Sequence, residues 1–187
     1  TDRPFKILHC GGFLEAKGQM LMIDIAESLI KKGINFKILI VGIIYKGQQS
    51  EFFYNKLVRA IERANLQNYF ELILNQSDVL EYFDQVDVLV PPSHTEGLPR
   101  VTMEAMAFGK PVIGNSVGGM TDYIVNHYTG YLTNFNHVSD YVEAILELVE
   151  NKAQYQFLSN NAENLIKNGY TPEQQVKSFL KILQKKG

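Results

Sequence analysis

The residues able to do chemistry in this chain gather in two loops. The richer one reads "PPSHTEGLPRVTMEAMAFGKPVIGNSVGGM", from Pro91 to Met120. Glu96 falls before a stretch of helical period and Glu104 within it. Between them "GLPR" supplies the first helical turn, with Pro99 expected at the first helical position, where its missing N–H does no harm. The backbone amides from about Leu98 to Thr102 then point out of the helix start, which also carries the positive end of the helix dipole. Such an end takes an anion. A carboxylate does not bind phosphate, but it accepts from two hydroxyls at once, so the two Glu call for a polyol. Donors for a diphosphate beside acceptors for sugar hydroxyls describe a nucleotide-sugar. The plain alternative is a solvated Glu104 and a Glu96 that merely faces the helix dipole. The spacing of two Glu does not decide between these readings, because it arises by chance in a chain with this many carboxylates.

The second loop, "CGGFLEAKG", follows the first apolar run. Gly11 and Gly12 let the backbone turn tightly and approach a ligand closely. Lys17 stands in the first turn of the next helix, or just before it, where a cation opposes the dipole. It is either one of many solvated lysines or the counter-charge of a bound diphosphate. The third glycine of G-x-G-x-x-G is missing and G-K-[ST] does not occur, so the loop is neither a dinucleotide fingerprint nor a P-loop.

The elements that must position these loops alternate along the chain. Apolar runs "FKILHC", "FKILIVG", "YFELIL", "VDVLVPP", "KPVIGN" and "TGYLT" read as strands. Between them, "EAKGQMLMIDIAESLIKKG", "SEFFYNKLVRAIERANL" (with Ser50 as N-cap), "DVLEYFDQ" and "PRVTMEAMAFG" read as helices. A short helix is expected after Gly118-Gly119, and three helical segments between Val138 and Lys186. Phasing of the helix around Glu104 puts Met103, Met106 and Ala107 toward the sheet and Glu104 at its margin. Continuous apolar strands alternating with helices predict a parallel sheet covered on both faces, an α/β Rossmann-like doubly wound fold. Ligands of such sheets bind at the carboxyl ends of the strands, where both loops lie.

Composition limits the remaining classes. The chain has 187 residues, 45% of them hydrophobic, and a formal net charge of -2. That suits one domain with a sizeable core and gives no nucleic-acid footprint. Cys10, the single cysteine, cannot form an internal disulfide; a reducing, cytoplasmic compartment and simple packing at a strand end are expected. No apolar stretch is long enough to span a membrane, and no N-terminal signal pattern is visible. The chain opens "TDRPFKILHC" without Met, as a piece of a longer protein would.

"SHTEGLPRVTMEAMAFGKPVIGNSVGGM", with "GGFLEAKG" upstream and "TGYL" downstream, closely resembles the retaining glycosyltransferases of group 1 (family 4, GT-B fold). Their signature is an E-x7-E motif, "EAMA-G-PVI", a Gly-Gly loop and a "tGyl" strand, in this order. The resemblance implies the second, donor-binding domain of such an enzyme, residues 1–170, with a C-terminal helix at 171–187 crossing back toward an N-terminal acceptor domain. It implies that Glu104 binds the ribose hydroxyls and that Glu96 lies against the transferred sugar. The backbone of Gly97, Leu98, Pro99 and Arg100 would hold sugar hydroxyls and diphosphate. Lys17 would neutralise the leaving diphosphate, with Gly11 and Gly12 close by. The third-strand exit, Asn75, Gln76 and Ser77, would face the base. Lys17 and Glu96 are thus the catalytic candidates, and no metal or other cofactor is expected. Two departures stand out. Many members have Arg where this chain has Gly12, and "GIIYKGQ" replaces the Gly-x-Gly-Pro turn common after the second strand. Arg100 is a weaker candidate to supply the missing cation.

The implied reaction moves a sugar from a UDP- or GDP-sugar, with retention, to an acceptor glycan or lipid-linked sugar of cell-surface polysaccharide synthesis. It would run in the cytoplasm or at the inner membrane face, with any peripheral membrane contact made by the other domain. This domain by itself would be inert. The alternatives are a sugar-nucleotide epimerase, whose His and Arg pattern is not evident, and a non-catalytic sugar-nucleotide-binding domain. Adjacent Ser93 and His94 rarely make a nucleophile–base pair, so hydrolase readings fail. His94 is expected in a structural role or near the ligand, and His9, His127 and His137 form no metal-ligand spacing.

Overall fold

A computed structural model describes residues 3–76, 78–97, 99–171 and 173–174. The first half runs β1 (Phe5–Cys10), α1 (Leu21–Lys31), β2 (Phe36–Gly42), α2 (Gln48–Arg63), β3 (Phe70–Leu74), α3 (Leu80–Phe83) and β4 (Val88–Leu89). The second half runs α4 (Arg100–Ala107), β5 (Ile113–Asn115), α5 (Met120–Tyr123), β6 (Tyr131–Thr133), α6 (Val138–Glu150) and α7 (Lys152–Gly169).

All strand pairings are parallel. Four strands form a sheet in the order β3-β2-β1-β4, and β5 pairs with β6. A parallel bridge between Leu89 and Val112 joins the two sets. The full order is therefore 3-2-1-4-5-6, the doubly wound arrangement, and the strand order reverses between β1 and β4. The apolar strands bury both faces. Ile7, Ile38 and Ile40 face a cluster with α1 and α6, while Leu8, Leu39 and Val41 face a second cluster with α4 and α7. Cys10 packs in the second cluster at the end of β1, as expected.

Several local expectations shift. The first helix starts at Leu21; Glu15–Lys17 form a separate 3-10 turn. The break is Gly18, at φ 71, where a Cβ would stand 2.0 Å from the Pro92 carbonyl oxygen. Only glycine serves both demands. Ser50 is not an N-cap, since α2 begins at Gln48. Its buried hydroxyl donates instead to Phe13 O (2.9 Å) and accepts from Tyr45 N (3.1 Å). Pro99 is the N-cap of α4 and not its first residue. The buried residues of α4 are Thr102, Ala105 and Met106, while Met103 and Ala107 are half-buried and pack against the edge of the same cluster. The third helical segment expected before Lys186, and with it most of the 171–187 helix, lies outside the described residues.

Candidate functional site

A cleft of about 280 Å³ opens at the carboxyl ends of β1 and β2 and the start of α4. Gly11, Gly12, Lys17, Gln76, Glu96 and Arg100 line it, together with Pro99 and Tyr45. It sits beside the reversal of strand order, where this fold places its ligands. A larger groove of about 540 Å³ lies between Arg3, Asn35, Asp87 and Tyr155, at the opposite, amino ends of the strands.

The Lys17 ammonium donates to Glu96 Oε1 at 2.8 Å, uniting the two catalytic candidates from distant loops. Both backbones are fixed for this meeting. His94 N donates to Ala16 O at 2.8 Å, tying the turn that carries Lys17 to the loop that carries Glu96. From the other side, Gly119 N donates to Glu96 O at 3.2 Å. Gly118 there adopts φ +46, and a Cβ on it would stand 1.8 Å from Glu96 O. The Gly-Gly loop is thus the floor of the Glu96 loop. Further down, Asn115 Nδ2 donates to Ser93 O (2.9 Å), and Asn115 Oδ1 accepts from the buried Tyr141 hydroxyl at 2.8 Å.

Other expected residues fall less centrally. Asn75 does not line the cleft; it turns the chain at φ 60 and donates its amide to Gly42 O, which delivers Gln76 there. Gly97 lies outside the lining, with its carbonyl against Gly119, where a Cβ would stand 2.2 Å away. Glu104 is half-buried on α4, also outside the lining. Ser77 and Leu98 lie outside the described residues. The amide of Thr102, expected among the free ones at the helix start, donates to Pro99 O at 3.0 Å.

Two titratable groups beside the cleft, Cys10 in its lining and His9 behind it, are inert. Burial pushes the Cys10 thiol up to about 12, with the Glu104 charge adding to the effect, so it carries no thiolate at neutral pH. Burial lowers His9 to about 4, despite its hydrogen bond to Val90 O. Because that carbonyl can only accept, the neutral ring carries its proton on Nδ1 (3.1 Å). The His94 ring sits edge-on to Phe135, 5.0 Å between centroids, consistent with a structural role. Sequence reasoning missed Tyr45. The signal was available: Tyr45 follows β2, and every loop at a strand's carboxyl end is a candidate in this fold.

Known proteins share this sequence pattern and fold. An uncharacterized glycosyltransferase of Methanocaldococcus jannaschii is 32% identical over 162 residues, 86% of this chain and 42% of that protein. The capsular polysaccharide biosynthesis glycosyltransferase CapM of Staphylococcus aureus is 25% identical over 172 residues, 90% of this chain and 43% of that one. The crystal structure of HepE from Anabaena, in complex with UDP and glucose, superposes with a TM-score of 0.89 at 21% identity. It covers 98% of this chain and 49% of its own, so the chain spans about half the length of these relatives. The fold is the Rossmann-like C-terminal domain of a GT-B glycosyltransferase. The model of the family "Glycosyl transferases group 1" matches residues 1–172, and the chain belongs to that family.

Proposed function

We propose that this chain is the donor-binding half of a retaining glycosyltransferase that uses a UDP- or GDP-sugar. The observation that carries the reading is the Lys17–Glu96 pair in a cleft floored by Gly11 and Gly12 and bounded by the start of α4. An ammonium has three donors. One is given to Glu96, leaving two for oxygens of a diphosphate. As the glycosidic bond breaks, negative charge grows on the leaving diphosphate. A fixed donor aimed at that charge is worth roughly 3 kcal/mol of barrier. Lys17 fills that role, and the outward amides at the start of α4, with Arg100 beside them, add to it. Glu96 retains lone pairs for the hydroxyls of the transferred sugar, and its charge offsets the oxocarbenium character of that sugar. Glu104 takes the ribose hydroxyls, and Asn75 to Ser77 face the base. No step calls on a metal.

The acceptor, a glycan or lipid-linked sugar of cell-surface polysaccharide synthesis, would be held by the other half of the protein. CapM, by its name a capsular polysaccharide enzyme, supports that assignment. Reaction at the cytoplasmic side follows from cytoplasmic nucleotide-sugar; among the described residues no helix is long and apolar enough to cross a membrane. The test is calorimetric titration of the chain with UDP-, GDP- and ADP-sugars. One nucleotide class should bind, without sugar transfer by the chain alone. A flat response to the whole panel overturns the donor-binding reading, and transfer at the rate of the longer protein overturns the division of labour.

A further inference from the structure

Gly12 and Tyr45 are matched in size. The conformation of Gly12 does not explain the glycine, because its φ lies outside the left-handed region. Space does. A Cβ on Gly12 would stand 2.2 Å from Tyr45 Cε2, 2.9 Å from Cζ and 3.0 Å from the hydroxyl oxygen. The phenol ring lies directly over the backbone of the loop after β1, and a side chain at position 12 could enter only by displacing it. Gly11 meets Lys17 instead, with 3.4 Å from its would-be Cβ to Lys17 Cδ. The paired glycines therefore meet the aliphatic stem of Lys17 on one side and a phenol on the other.

The backbone that carries the ring is anchored. Tyr45 N donates to the buried Ser50 hydroxyl, which donates on to Phe13 O, the residue after Gly12. Through this relay the loop after β2 is tied to the loop after β1. The ring itself is half exposed and lines the cleft with Lys17 and Arg100. Its hydroxyl makes no hydrogen bond to the described residues, so a neutral donor is presented at the place where an anion is proposed to sit. The two departures of this sequence from its family, Gly12 for Arg and "GIIYKGQ" after the second strand, thus meet at one contact.

We propose that the Tyr45 hydroxyl is a positioning donor to the diphosphate of the nucleotide-sugar, held over Gly12 in the space an arginine at position 12 would fill. This rests on the donor-binding reading above. Calorimetry with UDP, GDP and the free nucleosides uridine and guanosine tests it. A neutral donor to a charged acceptor predicts that Tyr45→Phe binds the preferred diphosphate about tenfold more weakly. The nucleoside should bind Tyr45→Phe as it binds the parent, which a general loosening of the cleft would not reproduce. Thermal melting of the variant should match the parent, since the ring stays. Reciprocally, Gly12→Arg must displace the ring, so adding Tyr45→Phe to it should cost nothing further, a strongly non-additive pair. Equal affinity of parent and Tyr45→Phe for the diphosphate, or additive effects of the pair, overturns this assignment alone. If no nucleoside diphosphate binds the parent, the donor-binding reading falls and this assignment falls with it.

Discussion

Two ion pairs close the seam between the β1 and β4 regions, one at each end, and they differ in how completely they are used. At the amino end Asp87 accepts from Arg3 twice, at 2.8 and 2.5 Å, and from Lys6 N at 2.7 Å. At the carboxyl end Lys17 and Glu96 share one bond of 2.8 Å. The Asp87 carboxylate is engaged by three donors that all belong to the fold, while the other pair keeps donors and lone pairs in hand beside a cleft. Equal charge pairs on the same seam therefore differ in use: the first ties the start of β1 to β4, and the second keeps the hydrogen-bonding capacity that the proposed ligand role requires.

The sharpest way to break this contrast is Lys17→Ala in the longer protein. Transfer should fall by about 10² to 10³ in kcat. Urea unfolding should move by less than about 1 kcal/mol, because a partly exposed single-bond pair contributes little. A large loss of stability with transfer intact would reverse the assignment.

Acid probes the seam between the two pairs, at His9. The folded ring titrates near 4 and the unfolded one near 6.5, so the unfolded chain binds the proton more tightly. Stability due to the neutral ring is complete above pH 6.5 and drains as pH falls toward 4, by roughly 3 kcal/mol in all. His9→Asn keeps a donor for Val90 O and cannot titrate. Urea midpoints of parent and variant at pH 7 and pH 4.5 should diverge in slope accordingly, and parallel losses would rule the ring out as their source.

Asp87→Asn should cost about 2 kcal/mol of stability, since the Arg3 guanidinium and the Lys6 backbone N–H both lose a charged acceptor. Nucleotide binding by calorimetry should be unchanged; a change there would mean the two ends are coupled. The smallest effect is expected from Arg3→Gln. Its side chain is 59% exposed, so screening leaves about 0.5 kcal/mol or less, visible only as a slight shift in the urea midpoint.

Legibility in the sequence tracked the range of the interaction. The strands were readable because a parallel sheet buries both faces and so demands uninterrupted apolar runs. Helix starts were less so. Gly18 reads as a tolerated residue within a helix until Pro92, from another loop, is seen to need the same space. Ser50 has the chemistry of an N-cap, but its hydroxyl is spent on Phe13 and Tyr45. The motif around Glu96 announced the site, and the cleft gathers seven of the expected residues: Gly11, Gly12, Lys17, Gln76, Glu96, Pro99 and Arg100. Glu104 and Asn75 sit outside its lining: Glu104 is half-buried on α4, near enough for its charge to act on Cys10, and Asn75 serves as a turn.

What the sequence determined by itself was the kind of most elements and the two loops that line the cleft, since periodicity and motif are local properties. The tertiary structure decided which side chains face one another. Lys17 meets Glu96 because β4 lies next to β1, and Tyr45 covers Gly12 because β2 lies on β1's other side. Strand order is a property of the folded sheet, set by which apolar faces and edges pair, and no spacing along the chain encodes it.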